Sequence, residues 1–117
     1  MASCRVIYDA TKESKDSESV IAPTVASTMT LLMRGVVTDG TGKNANIPGL
    51  EVVGKTGTTE MDGSKRNTDL WFVGFAKGKS EVTGVWLGNE NNSQTTTGTS
   101  AQAAQAWSDY MSAVYSK

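Results

Sequence analysis

The stretch GLEVVGKTGTT, residues 49–59, can be read in two ways that demand different folds. Taken from Gly49 it has the form G-x-x-x-x-G-K-T, the loop that cradles nucleotide phosphates. Taken from Lys55 it is K-T-G-T, in which a lysine, a hydroxyl, a glycine and a second hydroxyl follow one another along an extended segment. A phosphate loop needs a buried strand before it, a flexible turn within it and a helix after it, whose amino end meets the phosphates. Here NANIP precedes Gly49, and the four intervening residues Leu50, Glu51, Val52 and Val53 are mostly strand formers. TGTTEMDGSK, which follows Lys55, has no helical apolar period. Nor does an apolar run close on an aspartate for magnesium, since Asp69 opens its run instead. The strand reading is preferred, and the nucleotide loop stands as the weakest alternative.

On a strand, alternation places Lys55 and Gly57 on one face and Thr56 and Thr58 on the other. At a sheet edge beside a cleft, the lysine supplies positive charge for a substrate carboxylate and the glycine lets a ligand backbone approach. Unpaired N–H groups there can serve an oxyanion. Such a strand is one wall of an acyl-transfer site. The bland alternative makes the threonines simple β-formers and Lys55 a solvated strand lysine.

Outward from this strand, Pro23 suits a first helical position, and Val25, Met29, Leu32, Met33 and Val36 recur at helical spacing. A helix is predicted over about 23–37, with that stripe as core. TDGTGKNANIPG, Thr38 to Gly49, is a glycine- and asparagine-rich loop to which no chemistry is assigned. DLWFVGFAK and EVTGVWLGN flank the turn-like Gly78-Lys79-Ser80 and read as a hairpin, so three strands follow in succession. Gly74 and Gly84 interrupt these strands and are expected to oppose one another as a seat for a helix. Thr99 and Gln102 have the form of a capping box. Behind them Ala103, Trp107, Met111 and Val114, with Tyr110 alongside, predict an amphipathic helix covering one sheet face. Trp71, Phe72, Trp86 and Trp107 are assigned to packing rather than to a sugar-stacking platform. Asp69 is expected to hold the Glu60–Thr68 segment by hydrogen bonds. Near the start, Val6–Tyr8 reads as a short strand and Thr11–Ser19 as a charged connector.

Composition narrows the chemistry. The 117 residues carry 11 basic and 12 acidic side chains, which gives no electrostatic case for nucleic acid or an anionic membrane. Histidine is absent, so serine–histidine–aspartate and cysteine–histidine catalysis and histidine-ligated metals are excluded. The single cysteine, Cys4, has no internal disulfide partner. Apolar runs fall short of the roughly 18–20 residues of a membrane span.

GKTGTT, then DLWFVGF, then VTGVWLGN and a closing helix resemble the end of the transpeptidase domain of class A penicillin-binding proteins. The resemblance runs from about Val20 to Ala113 and takes in the upstream VIAPTVASTMTLLMRGVVTDGTG. K-T-G-T alone is a weak signal, but in order with D-x-W-F-x-G and T-G-V-W-x-G-N it is specific. It implies an α+β class, with a three-stranded antiparallel sheet and helices packed on it, as a fragment of the serine β-lactamase/transpeptidase-like fold. Residues 1–19 would be a tail and connector, and residues 20–117 the carboxyl-terminal part of a penicillin-binding transpeptidase domain.

In that family a serine in S-x-x-K attacks the peptidyl D-Ala-D-Ala of a peptidoglycan stem, and a neighbouring stem's amine resolves the acyl-enzyme. β-Lactams acylate the same serine. Carried over, Lys55 would lie near the serine of S-x-N and the substrate carboxylate, favouring proton transfer and anion binding. Thr56 and Thr58 hydroxyls would hold that carboxylate, the Thr58 N–H would join the oxyanion hole, and Gly57 would keep the cleft open. The resemblance implies peptidoglycan stem peptide and β-lactams as partners in the intact domain, on the extracytoplasmic side, with no cofactor, metal or nucleic acid and no membrane contact by this segment. No serine in the chain is followed three residues on by lysine or two residues on by asparagine. Acyl transfer by this chain alone is therefore not expected. The Glu60–Thr68 segment exceeds the turn usual at that place. In the family, upstream strands pair beside VTGVWLG, so a bare edge and homo-oligomerisation through it are expected here, with Val6–Tyr8 as one pairing segment. The remaining alternative is a non-catalytic sheet module that grips a partner by strand addition.

Overall fold

Pro23, with its fixed φ and missing N–H, occupies the start of helix α1, Pro23–Thr38. The computed structural model describes residues 19–91 and 94–115. After α1 come a single 3-10 turn at Lys43–Ala45, strands β1 (Val52–Glu60), β2 (Asn67–Ala76) and β3 (Thr83–Gly88), and helix α2 (Ser100–Tyr115). The expected strand at Val6–Tyr8 lies outside the described residues.

The three strands form one antiparallel sheet in the order β1-β2-β3. Its register corrects the expected opposition of Gly74 and Gly84: Gly74 pairs with Gly54 on one side and Thr83 on the other, while Gly84 pairs with Val73. The cause is the connection after Ala76, which spans residues 77–82 rather than three, and so displaces β3 by one position. The close neighbours are the backbone of the facing strand, with Val53 O 2.7 Å from a Cβ on Gly74, and an aromatic ring, not a helix. A Cβ on Gly74 would lie 2.8 Å from Phe72 Cε1, and one on Gly54 2.9 Å from the same atom, so the glycine pair makes room for the Phe72 ring.

That ring is at the centre of the core. Phe72 meets Trp107 edge-on at 5.3 Å, and Val37, Ala45, Val52, Ala103 and Met111 close around them. The Trp107 indole N–H donates to Thr83 O at 3.0 Å, which satisfies the buried polar end of the side chain. Half of the capping box forms, with the Thr99 N–H donating to Gln102 Oε1 at 2.8 Å. Ala103, Trp107 and Met111 are buried as expected, but Val114 and Tyr110 are exposed. From Met111 the next inward position is four residues on, and Tyr115 takes it.

Two further expectations are overturned. In α1 only Val37 is buried, while Val25, Met29 and Leu32 of the expected core stripe are exposed. The helix turns its 27–30–34–37 side toward the sheet: Ser27 and Thr30 line a cleft with Phe75, and Arg34 Nη1 donates to Val52 O at 3.0 Å. The first part of the stripe is therefore uncovered, while its last members Met33 and Val36 are half-buried, with Val36 beside Gly42 at the edge of the core. Trp71 and Trp86, expected in packing, are likewise half exposed on the sheet face opposite α2, with ring centroids 6.2 Å apart. Asp69 does hold the end of the 60–68 segment, its Oδ2 accepting from the Thr68 hydroxyl at 2.9 Å, and it also holds this pair, its Oδ1 accepting from the Trp86 indole N–H at 2.8 Å. The segment is held as well by its own turn, in which the Met61 N–H donates to Arg66 O at 2.9 Å and the Ser64 N–H to Met61 O at 3.0 Å.

Candidate functional site

β1 begins in the core and ends in solvent. Val52, Val53, Gly54 and Thr56 are buried, whereas Thr58, Thr59 and Glu60 are exposed. The Lys77 N–H donates to Glu51 O at 2.9 Å, so residue 51 turns its backbone groups toward β2. In an antiparallel ladder this orientation alternates, and residues 53, 55, 57 and 59 do the same. The backbone groups of residues 52, 54, 56 and 58 consequently face the outer edge. The observed bonds agree, because Arg34 reaches Val52 O and Lys55 Nζ reaches Thr56 O at 2.9 Å, both from outside the sheet. Thr58 N–H and C=O lie farther along this edge, past both bonds.

Lys55 is exposed and shares its face with Gly57, Val73 and Trp71 across the register. Its ammonium curls round the strand edge onto Thr56, with Oγ1 at 3.3 Å as a second acceptor. No carboxylate among the described residues pairs with it, the nearest strand-end ion pair being Lys77 with Glu51 at 3.1 Å. Thr56, on the other face, has its hydroxyl 2.6 Å from that of Thr41. Gly57 is half-buried, and a Cβ there would lie 3.3 Å from Trp71 Cβ, so this glycine also serves the fit of β1 against the tryptophan. Thr58 lies at the exposed end of the strand, opposite Leu70. Lys55, Thr56, Gly57 and Thr58 are thus brought onto one strand edge, with Thr56 alone drawn inward.

Sequence reasoning missed two members of this arrangement. Arg34 covers an edge carbonyl of β1. Thr41 belongs to the loop that was given no chemistry; its only signal was a hydroxyl set between two glycines, Gly40 and Gly42.

The edge offers an ammonium, hydroxyls and outward N–H groups, all able to donate, with an added strand's worth of backbone partners. That set suits an extended ligand ending in a carboxylate. Such donors can bind an anion and polarise a carbonyl, and none of them is an activated nucleophile. The nucleotide-loop reading fails here, because Lys55 and Thr56 lie in mid-strand and a strand, not a helix, follows.

A family model described as the penicillin binding protein transpeptidase domain matches residues 3–112 of the chain. Penicillin-binding protein 1A of Clostridium botulinum (strain Langeland) is 36% identical over 97 residues, covering 82% of this chain and 11% of that protein. Penicillin-binding protein 1B of Escherichia coli (strain K12) is 42% identical over 76 residues, covering 62% of this chain and 8% of its own length. Among solved structures, the D,D-transpeptidase domain of a peptidoglycan glycosyltransferase from Eggerthella lenta superposes with a TM-score of 0.60 at 30% identity, covering 90% of this chain and 25% of that one. The transpeptidase domain of the FtsI4 D,D-transpeptidase from Legionella pneumophila gives 0.56 at 25% identity over 80% and 37% of the two chains. The chain spans about a tenth of the length of these curated relatives.

Proposed function

The chain belongs to the penicillin-binding protein transpeptidase domain family, and on that premise we propose that it forms the K-T-G-T wall of a D,D-transpeptidase site acting in peptidoglycan cross-linking. The observation that carries this is the outer edge of β1, where the Lys55 ammonium, the Thr56 hydroxyl and the outward N–H of Thr58 follow one another beside no other described strand. A stem peptide, or a β-lactam in its place, lies along this edge. Its carboxylate is held by Lys55 and by the Thr56 and Thr58 hydroxyls, while Thr58 N–H stabilises the oxyanion of the carbonyl under attack. Gly57 keeps that approach free of a side chain.

The attacking serine belongs to an S-x-x-K motif that this sequence lacks, so acyl transfer requires a segment supplying it. The site then works outside the cytoplasm, where stem peptides are cross-linked. No helix among the described residues is long and apolar enough to cross a membrane. A second reading, association through a strand edge, is favoured by one specific feature. By the same alternation the backbone groups of Gly84, Trp86 and Gly88 face outward on β3, with no strand beyond them among the described residues. A concentration series in sedimentation tests it: a rise in mass is expected, and a constant monomer rejects it.

The primary test is acylation by a labelled penicillin in a transpeptidase domain that contains this chain and an S-x-x-K segment. Lys55→Ala is expected to lower the acylation rate by about a hundredfold or more. An unchanged rate removes Lys55 from the site and the reading with it.

A further inference from the structure

We infer that Thr41 is a positioning residue for the carboxylate of the acyl donor, acting through the hydroxyl of Thr56. The inference rests on the reading of β1 as the substrate wall, and it assigns to the loop before that strand a role in ligand binding. Its geometric basis is the 2.6 Å approach of the two threonine oxygens, a short distance for neutral hydroxyls.

A hydroxyl has one proton and two lone pairs, and an ammonium can only donate. Lys55 Nζ lies 3.3 Å from Thr56 Oγ1 and so takes one of its lone pairs. The bond to Thr41 then runs in one of two directions. If Thr56 donates to Thr41, its proton is spent inside the protein and its oxygen repels a carboxylate. If Thr41 donates, both lone pairs of Thr56 are filled from behind and its proton is left for the ligand. A bound carboxylate selects the second state, because it needs donors and offers none. Thr41 thereby sets the direction in which Thr56 donates.

The loop is built to hold Thr41 in place. The Gly40 N–H donates to Gly35 O at 3.1 Å and the Gly42 N–H to Val36 O at 3.0 Å, which ties both flanks to the end of α1. A Cβ on Gly40 would lie 2.9 Å from Val36 Cα, and one on Gly42 3.1 Å from Phe72 Cε2. Neither flank has room for a side chain, so the threonine between them is carried on backbone packed directly against helix and core. Thr41 itself is exposed, and removing its hydroxyl leaves the buried cluster untouched.

The test uses the same intact domain and compares the parent with Thr41→Val, Thr41→Ser and Lys55→Ala, following acylation by a labelled penicillin over a range of concentrations. Thr41→Val is expected to lower the second-order acylation constant about tenfold, mainly by weakening the initial complex rather than slowing bond formation, with an unchanged melting temperature. Thr41→Ser is expected to return it to within about twofold of the parent. With the penicillin's carboxylate blocked as a methyl ester, Thr41→Val and parent should react alike. The inference is overturned if Thr41→Val matches the parent while Lys55→Ala is inactive, or if valine and serine variants are equally impaired, or if the ester discriminates them as the free acid does. Full activity of Lys55→Ala is a separate outcome that sinks the wall reading itself and Thr41 with it.

Discussion

Trp71 and Phe72 are neighbours on the middle strand, yet the first is 40% exposed and the second fully enclosed. Alternation sends them to opposite faces of the sheet. The Phe72 face finds its partner within the chain, since α2 lays Ala103, Trp107 and Met111 over it. On the Trp71 face α1 reaches only the Phe75 end, leaving Val73 and Trp86 with no described helix over them, and Val25, Met29 and Leu32 of α1 are exposed in the same way. Lys55 and Gly57 stand on that second face. The open part of this face, around Val73, Trp71 and Trp86, is an apolar patch next to Lys55, of the kind that marks an interaction surface.

The comparison breaks most directly by shortening both side chains in turn. Phe72→Ala removes a ring that touches Trp107 and fills the space left by Gly54 and Gly74, and it should cost about 3–5 kcal/mol in urea unfolding. Trp71→Ala, although it deletes the larger side chain, should cost only about 1 kcal/mol, chiefly its contact with Trp86. Equal losses would mean that both faces are packed. Joining the chain to an S-x-x-K segment sharpens the contrast, because Trp71→Ala should then rise to at least about 2 kcal/mol while the cost of Phe72→Ala stays as it was.

The elements were legible in the sequence and their outward relations were not. Pro23 marked the start of α1, K-T-G-T marked an extended segment by its misfit to a phosphate loop, and the Thr99–Gln102 pair marked the start of α2. These signals are local. The apolar stripe at Val25, Met29 and Leu32 was equally visible, but periodicity states that a face is to be buried and says nothing of what buries it. Here the inward side of α1 carries Ser27 and Thr30, which line a cleft, and Arg34, which donates to an edge carbonyl of β1. Phe72 was rightly assigned to packing and Trp71 was not, because an aromatic pair on a strand gives the same hydrophobicity on both faces and only one face is covered. The glycine register depended on the length of one turn. At the site, Lys55, Thr56, Gly57 and Thr58 could be named because four adjacent residues carry their spacing with them. Thr41 lies fifteen positions from Thr56, and only the close return of the chain past α1 brings their hydroxyls together.

The smallest expected effect tests how the covered face is closed at its rim. Tyr115 ends α2 and donates its phenol proton to Glu81 Oε2 at 2.9 Å, with Lys79 Nζ 4.8 Å above the ring, so that the connection between β2 and β3 is clasped to the helix. Burial raises the phenol above its ordinary value of 10.0, and the hydrogen bond to Glu81 and the negative charge beside it act in the same direction. A group whose folded value is raised holds its proton more tightly in the native state than in the unfolded one. Its stabilisation is complete below the ordinary value and is lost as pH rises through the higher folded value. The melting temperature should therefore fall more steeply for the parent than for Tyr115→Phe between about pH 9 and pH 12, where the parent's phenol ionises beside Glu81 and the variant has nothing to ionise. Below that window the variant should be the less stable, since it lacks the bond, and above it the two curves should converge. Parallel curves throughout would show that the phenol proton takes no part in closing the α2 face, leaving the Phe72–Trp107 contact to hold the helix without help from its last turn.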